Sequence, residues 1–193
     1  MRNFFKEFNI ADWFSFYRIL AAPFLILFLA LGMRYWFAFF LLISYTTDAV
    51  DGYLARKLKI SSSRGSQLDS LGDQLTLIVG LSGLLLFETN FIRENLLLIG
   101  LAFIPYLIQM AIAFRKYGKT TAFHTYLAKG SAVLQAVFIV WTLFFGPIYW
   151  LFYLMILAGI LETLEEICLI FMYDTWVSDV KGFFWALKDP RRK

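Results

Sequence analysis

Long apolar stretches, separated by short polar clusters, organise this chain. A helix needs about 20 mostly apolar residues to cross the hydrocarbon of a bilayer. Six segments meet that requirement: 13–31, 35–56, 67–87, 95–114, 126–145 and 148–173. The connections between them are short, which predicts helices that alternate in direction within one bundle, residues 11–173. The ends read differently. Phe4, Phe5 and Phe8 interleave with Lys6 and Glu7 in residues 1–10. Residues 174–193 space Trp176, Val177, Val180, Phe183, Phe184 and Leu187 as a helix would, before a basic end. Both predict amphipathic helices lying on the membrane surface. The expected architecture is therefore an all-α integral membrane protein, with residues 1–193 as a single domain. It has six transmembrane helices and an interfacial helix at each terminus.

Composition sharpens this. Hydrophobic residues make up 60% of the chain and charged ones 17%, against roughly 25% charged in an ordinary soluble domain. Mean hydropathy is +0.67. Disorder and a nucleic-acid-binding domain are excluded. The single cysteine, Cys168, rules out a disulfide scaffold. The first span carries Arg18 and Pro23 and is followed by five more, so it does not read as a cleaved signal peptide.

The sign and place of the charges predict orientation. With the N-terminus inside, fifteen of the 18 Lys and Arg residues fall on the inner side and only Arg34 and Arg93 on the outer; Arg18 lies within the first span. Positive charge favours the cytoplasmic side, so both termini are expected there.

The least membrane-like stretch runs DAVDGYLARKLKISSSRGSQLDSLGD over residues 48–73. Asp48 and Asp51 stand at i and i+3 near the inner end of the second span. Asp69 and Asp73 stand at i and i+4 at the inner start of the third. Each pair occupies one face of its helix, and a short loop lets the two faces meet. An aspartate at the centre of a spanning helix costs about 2.5–3.5 kcal/mol, and four carboxylates together also repel one another. A hard divalent cation relieves both problems, because carboxylate oxygen suits Mg²⁺, Mn²⁺ and Ca²⁺. Gly52 and Ala55 allow close approach. Arg56 offers a fork of donors to phosphate, and Ser61, Ser62, Ser63 and Gly65 read as a donor-rich loop. A metal-bound phosphate or diphosphate fits this set. A divalent-cation transporter would also bury aspartates, but it has no need of the Gly-Ala-Arg spacing or the hydroxyl-rich loop.

These residues resemble the signature of the CDP-alcohol phosphotransferase family, D-x₂-D-G-x₂-A-R-x₈-G-x₃-D-x₃-D. It falls here on Asp48, Asp51, Gly52, Ala55, Arg56, Gly65, Asp69 and Asp73. The run from Asn9 through Asp12, Ser15 and Arg18 to Pro23 is similar to the start of bacterial phosphatidylglycerophosphate synthases. The resemblance implies transfer of a phosphatidyl group from CDP-diacylglycerol to the hydroxyl of a small alcohol, with release of CMP. Asp48, Asp51, Asp69 and Asp73 would ligate Mg²⁺ or Mn²⁺, and Asp73 would also be the general base. Gly52, Ala55, Arg56, Ser62 and Gly65, walled by Asp12 and Ser15, would receive the CDP moiety. The resemblance further implies a homodimer in a bacterial cytoplasmic membrane, with the site facing the cytoplasm and the donor's acyl chains left in membrane lipid.

The acceptor is read from a second cluster. Arg115, Lys116, Lys119 and Lys129 are expected at the inner ends of the fourth and fifth spans, with His124 between them. They would hold the phosphate of glycerol 3-phosphate. Phosphatidylglycerol, serine, inositol phosphate and other alcohols remain alternatives. Glu162, Glu165 and Glu166 lie in the inner half of the last span. They are expected to form an ion pair with Lys129 or Arg18, to line the acceptor side, or to meet a second copy.

Overall fold

A computed structural model describes residues 10–58 and 63–191; at 10–12, 51–56, 63–67 and 69–70 it describes the backbone alone. The described residues are predominantly helical. Six long helices appear where the apolar pattern predicts them: α1 (Ile10–Ala30), α2 (Arg34–Leu58), α3 (Ser63–Phe87), α5 (Leu96–Tyr117), α6 (Tyr126–Phe145) and α7 (Tyr149–Met172). Two short helices, α4 (Thr89–Glu94) and α8 (Phe183–Ala186), complete the set. Glycine ends three of the long helices, with Gly146 (φ 91°) closing α6 by donating to the Thr142 carbonyl at 2.9 Å. Gly32 takes φ 68° while the Met33 N–H reaches back to the Phe28 carbonyl at 2.9 Å, a Schellman closure that forces the turn into α2. Gly118, at φ 70°, caps α5 by donating to the Phe114 carbonyl at 2.9 Å.

Among the described residues three helices, α1, α5 and α6, are long and apolar enough to cross a membrane. Their large apolar side chains lie on the outside: Phe24, Ile26, Leu97, Phe103 and Phe145 are all more than half exposed. Water would penalise such a surface, whereas lipid would not. α7 falls short because Glu162, Glu165 and Glu166 interrupt it.

The chain divides into two compact units. The first comprises residues 1–89 with 139–146. In it α1 packs on both α2 and α3, burying Ala21, Ala22 and Leu25 with Phe37, Leu41 and Val79. α3 comes close through its glycines: a Cβ on Gly83 would lie 2.3 Å from the Phe37 ring. Arg34 fastens the far end. Its Nε donates to the Leu143 carbonyl and its Nη2 to the Thr142 carbonyl, each at 2.7 Å, and Nη2 also binds Glu88.

The second unit comprises residues 90–138 and 147–193. Phe91, Phe138 and Phe152 are buried against one another in tilted and edge-to-face contacts, with ring centres 5.0 to 6.1 Å apart. A second apolar cluster joins Phe123, Leu169, Ile170, Tyr173, Val177, Val180 and Ala186. Here the structure departs from the expected C-terminal helix. Residues 173–182 are irregular, and only one turn, Phe183–Ala186, is helical. Asp179 at φ 57° and Gly182 at φ 152° break the helical run. The segment lies beside the loop after α5, with the Val180 N–H donating to the Phe123 carbonyl at 2.7 Å and the Tyr126 N–H to the Lys181 carbonyl at 3.0 Å. Its apolar residues therefore fill the unit's own core as well as its surface. The expected N-terminal interfacial helix, residues 1–10, lies almost wholly outside the described residues.

Candidate active site

Three helices of the first unit converge on one guanidinium. Arg18, on α1, is 1% exposed. A cation buried to this degree in an apolar bundle requires anionic partners, and α2 and α3 supply them. Nη1 of Arg18 donates to Oδ1 of Asp48 and to Oδ1 of Asp73. Nη2 faces the Ser15 hydroxyl, one turn earlier on α1, at 3.5 Å. α3 packs closely here at Gly72, where a Cβ would lie 3.4 Å from Arg18 Cβ, Arg18 Nε and the Ser15 carbonyl, at van der Waals contact.

Two of the four aspartates expected to converge thus do so, and the serine expected beside the nucleotide sits with them. Arg18 is the functional candidate that the sequence reading missed. A lone basic residue inside an apolar span signals a buried partner. The expected partners of Arg18 were the glutamates of α7 and not the aspartates, because the sequence leaves the rotation of α1 open. Asp51, Gly52, Ala55 and Arg56 lie on the last turns of α2, and Gly65 and Asp69 on the first turns of α3. Their side chains, that of Asp12 and all of Ser62 lie outside the described residues. α3 already starts at Ser63, so Ser63 and Gly65 belong to the helix and not to the loop.

Asp48 and Asp73 both place Oδ1 against Nη1 of Arg18, so two hard oxygen donors of the kind a divalent ion takes stand beside one guanidinium. The Asp48 and Asp73 side chains are 43% and 49% exposed, so both can be approached from outside. Among the described residues no further His, Cys, Asp or Glu group completes a cluster.

The second unit holds the basic residues read as the acceptor pocket, and it uses several of them otherwise. Lys116 donates to the Ile170 carbonyl at 2.7 Å and lies 3.8 Å from Asp174. Lys119 stacks on Trp176, 3.7 Å from the ring centre. Arg115, His124 and Lys129 are exposed, with His124 in a left-handed backbone conformation at φ 54°. The glutamates of α7 find neutral partners. Glu166 Oε2 accepts from the Thr121 hydroxyl and the Gln109 amide, both at 2.7 Å, and Glu165 Oε1 accepts the Phe183 N–H at 2.9 Å. These acids fasten the loop after α5 and the C-terminal segment; Arg18 goes to the aspartates.

No curated protein and no solved structure matches the chain. The profile of the CDP-alcohol phosphatidyltransferase family matches residues 8–176. That span covers most of the 193 residues and includes Arg18, Asp48 and Asp73 together with the whole spaced motif. The chain belongs to the CDP-alcohol phosphatidyltransferase family and is a transferase of substituted phosphate groups.

Proposed function

We propose that the protein transfers the phosphatidyl group of CDP-diacylglycerol to glycerol 3-phosphate, releasing CMP, as a phosphatidylglycerophosphate synthase does. Membership of the family carries head-group transfer from a CDP-alcohol to an alcohol acceptor, and the family uses divalent metal ions. The observation that supports the metal-dependent part of this reading is that Asp48 and Asp73, on two helices and both partly exposed, bind the same Arg18 guanidinium.

In this reading Asp48, Asp51, Asp69 and Asp73 hold Mg²⁺ or Mn²⁺. The ion, when bound, offsets charge on the diphosphate and polarises the phosphorus under attack. Arg56, Ser62 and the small residues Gly52, Ala55 and Gly65 receive the CDP moiety, with Asp12 and Ser15 as its wall. Asp73 takes the proton of the acceptor hydroxyl. The acceptor oxygen bonds to the phosphatidyl phosphorus, the bond to the CMP oxygen breaks, and CMP leaves with that electron pair. Arg115, Lys119, His124 and Lys129 attract a phosphorylated acceptor.

We further propose a six-span membrane domain covering residues 1–193. It forms a homodimer with one active site per protomer and faces the cytoplasm of a bacterial inner membrane. The inner excess of Lys and Arg and the six long helices support the spans and their orientation; the dimer follows from the family resemblance. The test is CMP release from CDP-diacylglycerol by purified protein with Mg²⁺ or Mn²⁺. Glycerol 3-phosphate, phosphatidylglycerol, serine and inositol phosphate are compared as acceptors. Release with glycerol 3-phosphate alone is expected; a preference for another alcohol reassigns the acceptor and keeps the chemistry.

A further inference from the structure

We propose that Arg18 is the internal counter-ion of the aspartate cluster, and that its guanidinium competes with the divalent ion for the same oxygens of Asp48 and Asp73. Arg18 is then a positioning residue that sets how tightly the ion is held. The inference rests on the metal-dependent reading above.

The argument starts from charge. Arg18 is buried on α1, while Asp48 and Asp73, which it binds, are about half exposed. The guanidinium is enclosed, while the carboxylates keep accessible surface through which an ion can reach them. Arginine does not release its proton in proteins. Its charge stays in place whether or not a second cation arrives, and two cations sharing one oxygen pair oppose each other. The side chain is also seated. Ser15 lies against Nη2, and Gly72 leaves room for the chain on α3. Arg18 thus keeps α2 and α3 from being pushed apart by like charges, and it holds ion affinity below what the carboxylates alone would give. An ion held in this balance can exchange between turnovers.

The test is Mn²⁺ binding to the full chain in detergent, read from the loss of the free-ion paramagnetic signal. It is paired with thermal melting in EDTA and in Mn²⁺. The variants are Arg18→Gln, Arg18→Lys and, as control, Asp48→Asn. Arg18→Gln should bind Mn²⁺ about tenfold more tightly, because the opposing charge is gone. It should melt lower in EDTA and recover with Mn²⁺. Arg18→Lys keeps the charge without the fork and should fall between, gaining about threefold. If Arg18→Gln folds only with Mn²⁺, the counter-ion role is supported and the affinity comparison passes to Arg18→Lys. Wild-type or weaker affinity in the Arg18 variants that fold, with binding still lost in Asp48→Asn, overturns the competition alone. Failure of the wild-type protein to bind Mn²⁺ overturns the metal reading itself, and the competition with it.

Discussion

Gly83→Ala is a single-methyl change whose effect can be worked out from the packing of α2 on α3. The new Cβ would lie 2.3 Å and 2.7 Å from two atoms of the Phe37 ring, well inside van der Waals contact. Phe37 is fully buried and its ring abuts Phe87, 5.8 Å away between centres, so it has little room to retreat. Overpacking of this kind costs about 1–3 kcal/mol. Alanine in place of glycine returns about 1 kcal/mol of helix propensity. With two ring atoms in collision the upper part of the packing range applies, and the net loss is about 1–2 kcal/mol. The clash has a built-in control. Phe37→Leu removes the obstructing atoms, at a cost of its own of about 1–3 kcal/mol. Gly83→Ala added to Phe37→Leu should then be neutral or stabilising, so the two changes are strongly non-additive. Thermal melting of the four proteins in one detergent measures this. CMP release reads the consequence at Asp73, about 15 Å along α3 from Gly83 at the helical rise of 1.5 Å per residue. Gly83→Ala melting at or above wild type would refute the close approach of the two helices. So would a Gly83→Ala loss that is the same with and without Phe37.

Four further outcomes follow from the site and its surroundings. EDTA should abolish CMP release and Mg²⁺ or Mn²⁺ restore it, while Asp48→Asn and Asp69→Asn should each lower turnover by about 100-fold or more in a protein that still folds; full activity in excess chelator contradicts the metal reading. Asp73→Asn should lose turnover yet keep most of its metal-dependent affinity for CDP-lipid, whereas Asp51→Asn should lose that affinity, and equal binding losses make Asp73 chiefly a ligand. Arg115→Ala and Lys129→Ala should raise KM for glycerol 3-phosphate about tenfold and leave KM for CDP-diacylglycerol unchanged. Hydrogen bonds from the Arg191 guanidinium hold the Asp189 carboxyl well below the usual carboxylate range. A depressed folded value gives stability that is present above the ordinary carboxylate range and lost as pH falls through the depressed one. The melting deficit of Asp189→Asn should therefore be constant between about pH 5 and pH 8.

Helix positions were legible because apolar runs of membrane length, ended by glycine, leave few alternatives. The expected third span began at residue 67, and α3 begins at Ser63. The difference arises because the polar first turn carries no apolar signal of its own. The carboxylate spacing set each aspartate pair on one helix face that a short loop could bring together, and Asp48 and Asp73 both bind Arg18. Which cation joined them depended on how α1 is rotated, and a uniformly apolar helix encodes that only through packing. The tail failed for a different reason. Trp176, Val177, Val180 and Phe183 satisfy a helical period, but period alone does not register the backbone of Asp179 and Gly182. The basic residues at and after the end of α5 were read as a pocket for the acceptor's phosphate, yet Lys116 is spent on a carbonyl and Lys119 on an indole. Neither partner is near in sequence.

The burial of Val177, Val180 and Ala186 against Phe123 and Tyr173 changes how shortened forms of this protein should be designed. A helix lying on the bilayer could be trimmed with little harm. Deleting everything after Met172 instead strips one wall from an apolar cluster and frees the Phe123 and Thr120 carbonyls that Val180 and Trp176 now bind. It also leaves Glu165 without the Phe183 N–H. Such a deletion acts as several simultaneous cavity-forming substitutions, and its loss of function says nothing about catalysis. A purification tag or fusion partner should be attached beyond Arg191, whose side chain still closes on Asp189 and the Ser178 carbonyl.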